Sequence, residues 1–147
     1  MEQLNEDIQK LYGLENFFDK KAQVEYHTNE FRIILLHEEP VFFYFGEFIV
    51  PTLKQILKDN FLKKITVDMG AIKFVASGAD IMKPGVVAVD EGINKGDFIA
   101  IIDQKNQKPI AIGEALFDCH EMRKQESGKV IKNLHYVGDK LWKFPEN

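Results

Sequence analysis

Hydrophobic spacing changes character repeatedly along this chain. Leu4, Ile8 and Leu11 recur at i, i+4 and i+7, which predicts a short amphipathic helix ended by Gly13. Over residues 21–27 the pattern switches to alternation, with Ala22, Val24 and Tyr26 on one side and Gln23, Glu25 and His27 on the other. That is the pattern of a half-buried strand. A turn at Thr28-Asn29-Glu30, a strand over 31–36, a break at 37–40 and a strand over 41–45 complete an expected antiparallel meander. Phe42-Phe43-Tyr44-Phe45 is apolar on both faces, so this strand needs two covers. The expected covers are the helix that follows and the second half of the chain. Pro51 suits the first turn of that helix, and Leu53, Ile56 and Leu57 form its buried stripe.

The second half is richer in strands. Residues 64–67, 86–89, 98–102 and 109–117 read as strands, with a helical turn over 119–126. Residues 130–137 and 140–144 are expected to pair as a hairpin through Gly138-Asp139. In 109–117, Ile110 and Ile112 face one way and Ala111, Gly113 and Ala115 the other, a small-residue face suited to tight curvature or close approach. Many short strands with few helices predict a small barrel. The expectation is therefore an α+β chain: a small α+β unit over 1–63 packed on a barrel over 64–147, joined too tightly for a flexible linker.

Residues 68–85, DMGAIKFVASGADIMKPG, stand out between these patterns. Asp68 is placed to cap a short apolar helix over 71–77, Gly78 breaks it, and Lys83-Pro84-Gly85 makes a turn. Ala71, Phe74, Val75 and Gly78 fall at i, i+3, i+4 and i+7 and are expected on the buried face. Lys73 and Ser77 then share the wet face. A cation and a hydroxyl one turn apart, beside open glycine amides, can meet phosphate or sugar oxygens. The plainer alternative is a helix stop and a solvated lysine. With Phe74 assigned to the core no aromatic platform remains, so binding would rest on backbone shape and a few cations rather than on base stacking.

Composition narrows the classes. The chain has 147 residues, 29% charged and 45% hydrophobic, as in a globular domain. No apolar run reaches the ~18–20 residues that cross a bilayer, so no membrane is expected. The acidic start, MEQLNEDIQK, is unlike a secretory signal, and Cys119 is the single cysteine, which together point to a reduced, cytoplasmic setting. Net charge is −4, and residues 1–63 carry all of it, with 7 Lys/Arg against 11 Asp/Glu, whereas 64–147 hold 12 of each. The acidic unit suits a basic protein partner, and the neutral half can still carry a local basic patch. Cys119, His120 and Glu121 are adjacent and cannot close one tetrahedral metal site, so no metal is expected. No nucleophile elbow, phosphate-cradling loop or dinucleotide fingerprint occurs, so neither catalysis nor a cofactor is expected. Asp68 and Asp80 could pair as acid and base, but capping is the simpler role for Asp68.

Residues 68–85, taken with the ending Asn133-Leu134-His135-Tyr136-Val137-Gly138-Asp139-Lys140-Leu141-Trp142, resemble the PUA domain (pseudouridine synthase and archaeosine transglycosylase domain). The likeness is to the malignant T-cell-amplified sequence family, which works in translation beside density-regulated protein, and to stand-alone archaeal proteins of the same layout. Phe42–Phe45 and the Pro51-Thr52-Leu53 segment fit that family's pre-PUA domain. The resemblance implies a pseudobarrel that binds structured RNA, such as a tRNA acceptor end or ribosomal RNA, in translation or RNA modification. It places the contact on Lys73, Ser77, Gly78, Ala79, Asp80, Met82, Lys83, Pro84 and Gly85. Asp80 stands where eukaryotic members usually have Asn, and Lys83 where they usually have Cys. Lys83 would attract a phosphate and Asp80 repel one. Lys140 and Lys143, with Lys129 and Lys132, would extend a positive strip, although lysines also serve edge strands simply by discouraging pairing.

Overall fold

The computed structural model describes residues 2–28 and 31–144. The first helix, α1 (Glu2–Tyr12), buries Leu4 and Ile8. Strands β1 (Val24–Thr28), β2 (Arg32–Leu36), β3 (Glu39–Phe45) and β4 (Phe48–Pro51) follow as an antiparallel sheet in sequence order. Asn29 and Glu30 of the expected turn lie outside the described residues. Strand β4 was not expected. Pro51 closes it opposite Phe42 rather than opening a helix, and Thr52 is the cap of α2 (Leu53–Lys58). The Thr52 hydroxyl accepts from the Gln55 amide and donates to the Pro40 carbonyl at 2.9 Å, so one side chain ties the helix start to β3.

Strand β3 is covered on both faces, but not by the pair expected. Phe42 turns toward α1 and Phe18. Phe43 turns toward α2 and the second half together. Helix and barrel share one face because both must seal the same row of Ile33, Leu35, Phe43 and Val50. Tyr26 also departs from expectation: it is 61% exposed, while Ala22 and Val24 on its side are half-buried.

The second half begins with β5 (Lys64–Val67), α3 (Ile72–Val75), β6 (Ile81–Met82) and a 3₁₀ turn, Lys83–Gly85. Then come β7 (Val86–Val89), β8 (Phe98–Asp103), β9 (Pro109–Ala115), α4 (Cys119–Lys124) and β10 (Lys129–Tyr136). These strands form one sheet in the order β6-β10-β9-β8-β5-β7, antiparallel except for β5 beside β8. It curls into a pseudobarrel filled by Ile65, Val67, Ile99, Ile101 and Ile131. All six residues of β8 are buried. Ile99 and Ile101 point into the barrel, while Phe98, Ala100 and Ile102 point at β2, β3 and α2. A strand with core on both sides must be apolar at every position, which explains the run FIAII.

Gly113 permits the curvature. A Cβ there would lie 2.5 Å from Ile131 and 2.8 Å from the Lys132 carbonyl oxygen. The expected closing hairpin does not form: residues 140–143 are helical, α5 (Lys140–Lys143). Asp139 caps that helix by accepting from the Trp142 amide at 2.8 Å, and Leu141 joins the core between the halves. Its carboxylate also meets His135, 1% exposed, at 2.8 Å and accepts from the Tyr136 amide at 2.9 Å. An aspartate with helix amides ahead of it favours a helix start over a strand.

Candidate functional site

Helix α3 crosses the barrel wall between β5 and β6. Asp68 accepts from the Ala71 amide at 2.9 Å and so holds the entry. At the exit Gly78 adopts φ +93°. Its amide donates to Val75 and that of Ala79 to Phe74, both at 3.0 Å, the reciprocal pairing of a Schellman stop. The Gly78 amide, expected to be open from the sequence, is therefore already used by the helix end. Gly78 has a further constraint, since a Cβ would sit 2.9 Å from the Tyr136 ring. Asn133 bolts the exit to β10: its side-chain amide donates to the Val75 and Ala79 carbonyls at 3.2 and 3.1 Å. Gly85 packs against Ala71 and accepts from the Asp68 amide, closing the loop on the helix start.

Between α3 and the Ile81–Gly85 segment runs an open groove of about 700 Å³. Its walls include Ala71, Phe74, Val75, Ala79, Met82 and Pro84, with Asp80 and Lys129 at its polar margin. Phe74 is not core. It is 57% exposed, and Met82 is 50% exposed. Val75, with half-buried Ile72, fills the barrel instead. A helix of four residues is too short for periodicity to choose between two faces, and the pull of Ile72 and Val75 toward Ile81 decides it.

Lys73 and Ser77 are exposed, as expected. The Lys73 ammonium lies 5.2 Å from the centre of the Phe74 ring, and Ser77 Oγ donates back to the Phe74 carbonyl at 2.9 Å. Lys83 is less available than expected. Its Nζ donates to the Gln125 carbonyl at 2.9 Å and reaches that of Arg123 at 3.4 Å, capping the end of α4. Asp80 pairs with Lys129 at 2.8 Å and accepts from the Asn133 amide at 2.8 Å. Partial burial opposes its charge, but Lys129 and that amide together hold the carboxyl below the usual range. Its repulsion for a phosphate is thereby largely cancelled. Lys140 and Lys143 sit on α5, which packs toward α2 through Trp142 and Lys54, and neither lines the groove. Asn133, Tyr136 and Phe74 were not singled out as site residues from sequence. The first two occupy the resembling closing block, which was the available signal.

Among the described residues no group of three His, Cys, Asp or Glu is placed to hold a metal, and Cys119 is buried. No described helix is long and apolar enough to cross a membrane.

Comparison with known proteins agrees with this architecture. The PUA domain family model matches residues 63–137. An uncharacterized protein of Methanocaldococcus jannaschii is 45% identical over 94% of this chain and 91% of its own. Translation machinery-associated protein 20 of Schizosaccharomyces pombe is 34% identical over 88% of this chain and 76% of its own. Malignant T-cell-amplified sequence 1 of Rattus norvegicus is 35% identical over 63% of this chain and 53% of its own. Among solved structures, a hypothetical protein of Pyrococcus horikoshii superposes with a TM-score of 0.82 at 29% identity, covering 97% of this chain and 92% of that one. An H/ACA ribonucleoprotein bound to substrate RNA contains a chain that superposes with a TM-score of 0.53 at 27% identity, over 65% of this chain and 29% of that one. A curled six-stranded sheet, a short helix stopped at Gly78 and a family match across both make this chain a member of the PUA domain family.

Proposed function

We propose that the protein binds structured RNA without catalysing a reaction on it, in translation or RNA modification, and that an unpaired nucleotide of that RNA lies in the groove beside α3. The single observation that carries this reading is the exposed Phe74 ring over an apolar groove, with the Lys73 ammonium over the ring, 5.2 Å from its centre. An unstacked base gains ~1–3 kcal/mol from an aromatic face, and an adjacent lysine can neutralise the following phosphate. Lys73, Ser77, Gly78, Ala79, Met82, Pro84 and Gly85 supply the contact surface, while Asp80 and Lys83 hold its shape. The presence of a related chain in a ribonucleoprotein with substrate RNA, and of a relative named for the translation machinery, supports the same reading. A tRNA acceptor end, unpaired beyond its stem, has the required form. Residues 64–147 then act as the RNA-binding domain and 1–63 as its support.

Gel-shift titration with total tRNA tests this. The wild-type chain should bind with strong salt dependence, and Phe74→Ala with Lys73→Gln should lose most of the affinity. Unchanged binding by that double variant would overturn the site.

A second reading, a protein-docking role for the acidic first half, is favoured by Tyr26 and Phe48, both exposed there. Val50, Leu53 and Ile56 share a core with Phe98 and Ile112, so the test uses the whole chain. Retention of a partner captured from cells should fall in Tyr26→Lys/Phe48→Lys, and equal capture by both chains would exclude this reading.

A further inference from the structure

The four-stranded sheet ends at β1 and β4, and the barrel sheet at β6 and β7. An edge strand offers a row of unpaired backbone groups to any other chain, so natural sheets shorten, bulge or cover their edges. On β4 the Tyr12 hydroxyl donates to the Ile49 carbonyl. Strand β6 has only two residues. On β7 the pairing with β5 shifts register between Thr66 and Val67, and the Arg123 guanidinium donates to the Val89 carbonyl at 2.8 Å. Among the described residues β1 shows none of these devices. Its five residues pair with β2 in unbroken register, and Val-Glu-Tyr-His-Thr contains neither proline nor lysine.

Tyr26 marks the same place. Alternation puts it on the face of Ala22 and Val24, which pack on the core of Ile34, Phe42 and Ile49, yet Tyr26 is 61% exposed. It lies opposite Ile34 of β2, and the sheet has no strand on its other side. A single chain therefore leaves one row of this face uncovered. The other face of β1 has a pattern as well: Glu25 and His27 flank Tyr26, an acid and an imidazole two residues apart. In an antiparallel pair of identical strands the two-fold axis passes beside one residue, which then faces its own copy. With the axis at Tyr26, residue 25 of each copy faces residue 27 of the other. Moving it by one residue would set two glutamates or two histidines against each other.

We propose that β1 pairs with β1 of a second copy of this chain, antiparallel and centred on Tyr26, joining the two four-stranded sheets into one. The Glu25 carboxylate of each copy accepts from the His27 ring of the other, and the two Tyr26 side chains cover each other on the opposite face. Charge thereby fixes the register, because every neighbouring alignment opposes like groups. Only five residues of each chain pair, which is small beside a permanent interface, so the dimer forms and dissociates with concentration. The α3 groove lies in the barrel half, so this inference stands apart from the RNA reading.

Sedimentation velocity of the whole chain, loaded from micromolar to millimolar, tests this. Wild type should pass from monomer to dimer. Glu25→Lys sets a lysine against His27, and His27→Glu sets a glutamate against Glu25, so each variant alone should dimerise roughly tenfold more weakly. An equimolar mixture of the two variants has an attractive pair at both contacts and should dimerise about as well as wild type. Glu126→Lys, exposed on the barrel half, makes the same charge change elsewhere and should match wild type. The His27 and Phe144 ring centres are 4.7 Å apart, so melting checks that His27→Glu is folded. Should it unfold, exposed Glu25→Lys compared with Glu126→Lys decides the matter. A wild type that stays monomeric throughout would overturn the proposal and leave β1 to a strand of a different protein. Equal dimerisation by all chains would overturn it as well, since the contact would then lie elsewhere. Weakened single variants whose mixture does not recover would rule out the register centred on Tyr26.

Discussion

The two halves of the molecule use phenylalanine in opposite ways. In the four-stranded half Phe42 is fully buried, with the Phe17 and Phe18 rings 5.0 and 5.9 Å away, and Phe43 is buried on the other face of the same strand. In the barrel half the interior is aliphatic, and Phe74 stands out over the groove with Lys73 as its ring neighbour. Charge divides the same way: the first half carries the whole excess of acid, while the barrel half is balanced overall. The difference teaches that aromatic content does not locate a binding site. Eight of the 12 phenylalanines lie in the first half, where they are mainly core, and the one offered at the groove comes from a four-residue helix.

The sharpest way to break this comparison is to truncate one ring in each half. Phe42→Ala should cost about 3–5 kcal/mol, the range for a buried aromatic, and lower the thermal midpoint by many degrees. Phe74→Ala should leave that midpoint nearly unchanged; a large drop would mean that Phe74 is core after all. Gly78→Ala comes next, with a loss of roughly 1–3 kcal/mol from the left-handed backbone, because the added methyl also meets the Tyr136 ring. Chemical denaturation measures it, and an unchanged midpoint would show that Tyr136 does not press on this glycine.

In RNA binding, Phe74→Ala should lose ~1–3 kcal/mol, roughly 5- to 150-fold in affinity, read by fluorescence anisotropy. An equal loss from Phe48→Ala, exposed on the other half, would remove the distinction between the halves. The smallest effect concerns acid. Burial disfavours the charged form of Asp139, but His135 and the Trp142 and Tyr136 amides prevail and hold its carboxyl below the ordinary value of 3.8. A carboxyl depressed on folding stabilises fully above its unfolded value and loses that contribution as pH falls through the folded one. Wild type should therefore lose stability more steeply than Asp139→Asn below about pH 4. Parallel melting curves against pH would show that the α5 seat is not acid-sensitive.

Much of the fold was legible because single segments carried their own signal. The alternation around Val24, the stripe Leu53, Ile56 and Leu57, the strand over 98–102 and the small face at Gly113 each imply a local structure that the chain adopts. The turn chemistry of Gly78 and of Lys83–Gly85 was legible for the same reason. Errors fell where two short-range choices were nearly equal. Residues 140–143 can extend or coil, and the decision lies with Asp139, already held by His135. Pro51 can end a strand as well as begin a helix, and its pairing with Phe42 selects the strand. Lys83 reads as a free cation in sequence, because nothing local announces that the α4 carbonyls, some forty residues on, will lie within its reach.

Periodicity, turn residues and motif together specified an α+β chain with a barrel in its second half and the family to which it belongs. All three are local along the chain. Packing between remote segments turned Phe74 to the groove and engaged Lys83 and Asp80 within the fold. Which face of a short helix is buried depends on what the remote strands leave uncovered, and hydrophobic spacing over four residues carries no information about that.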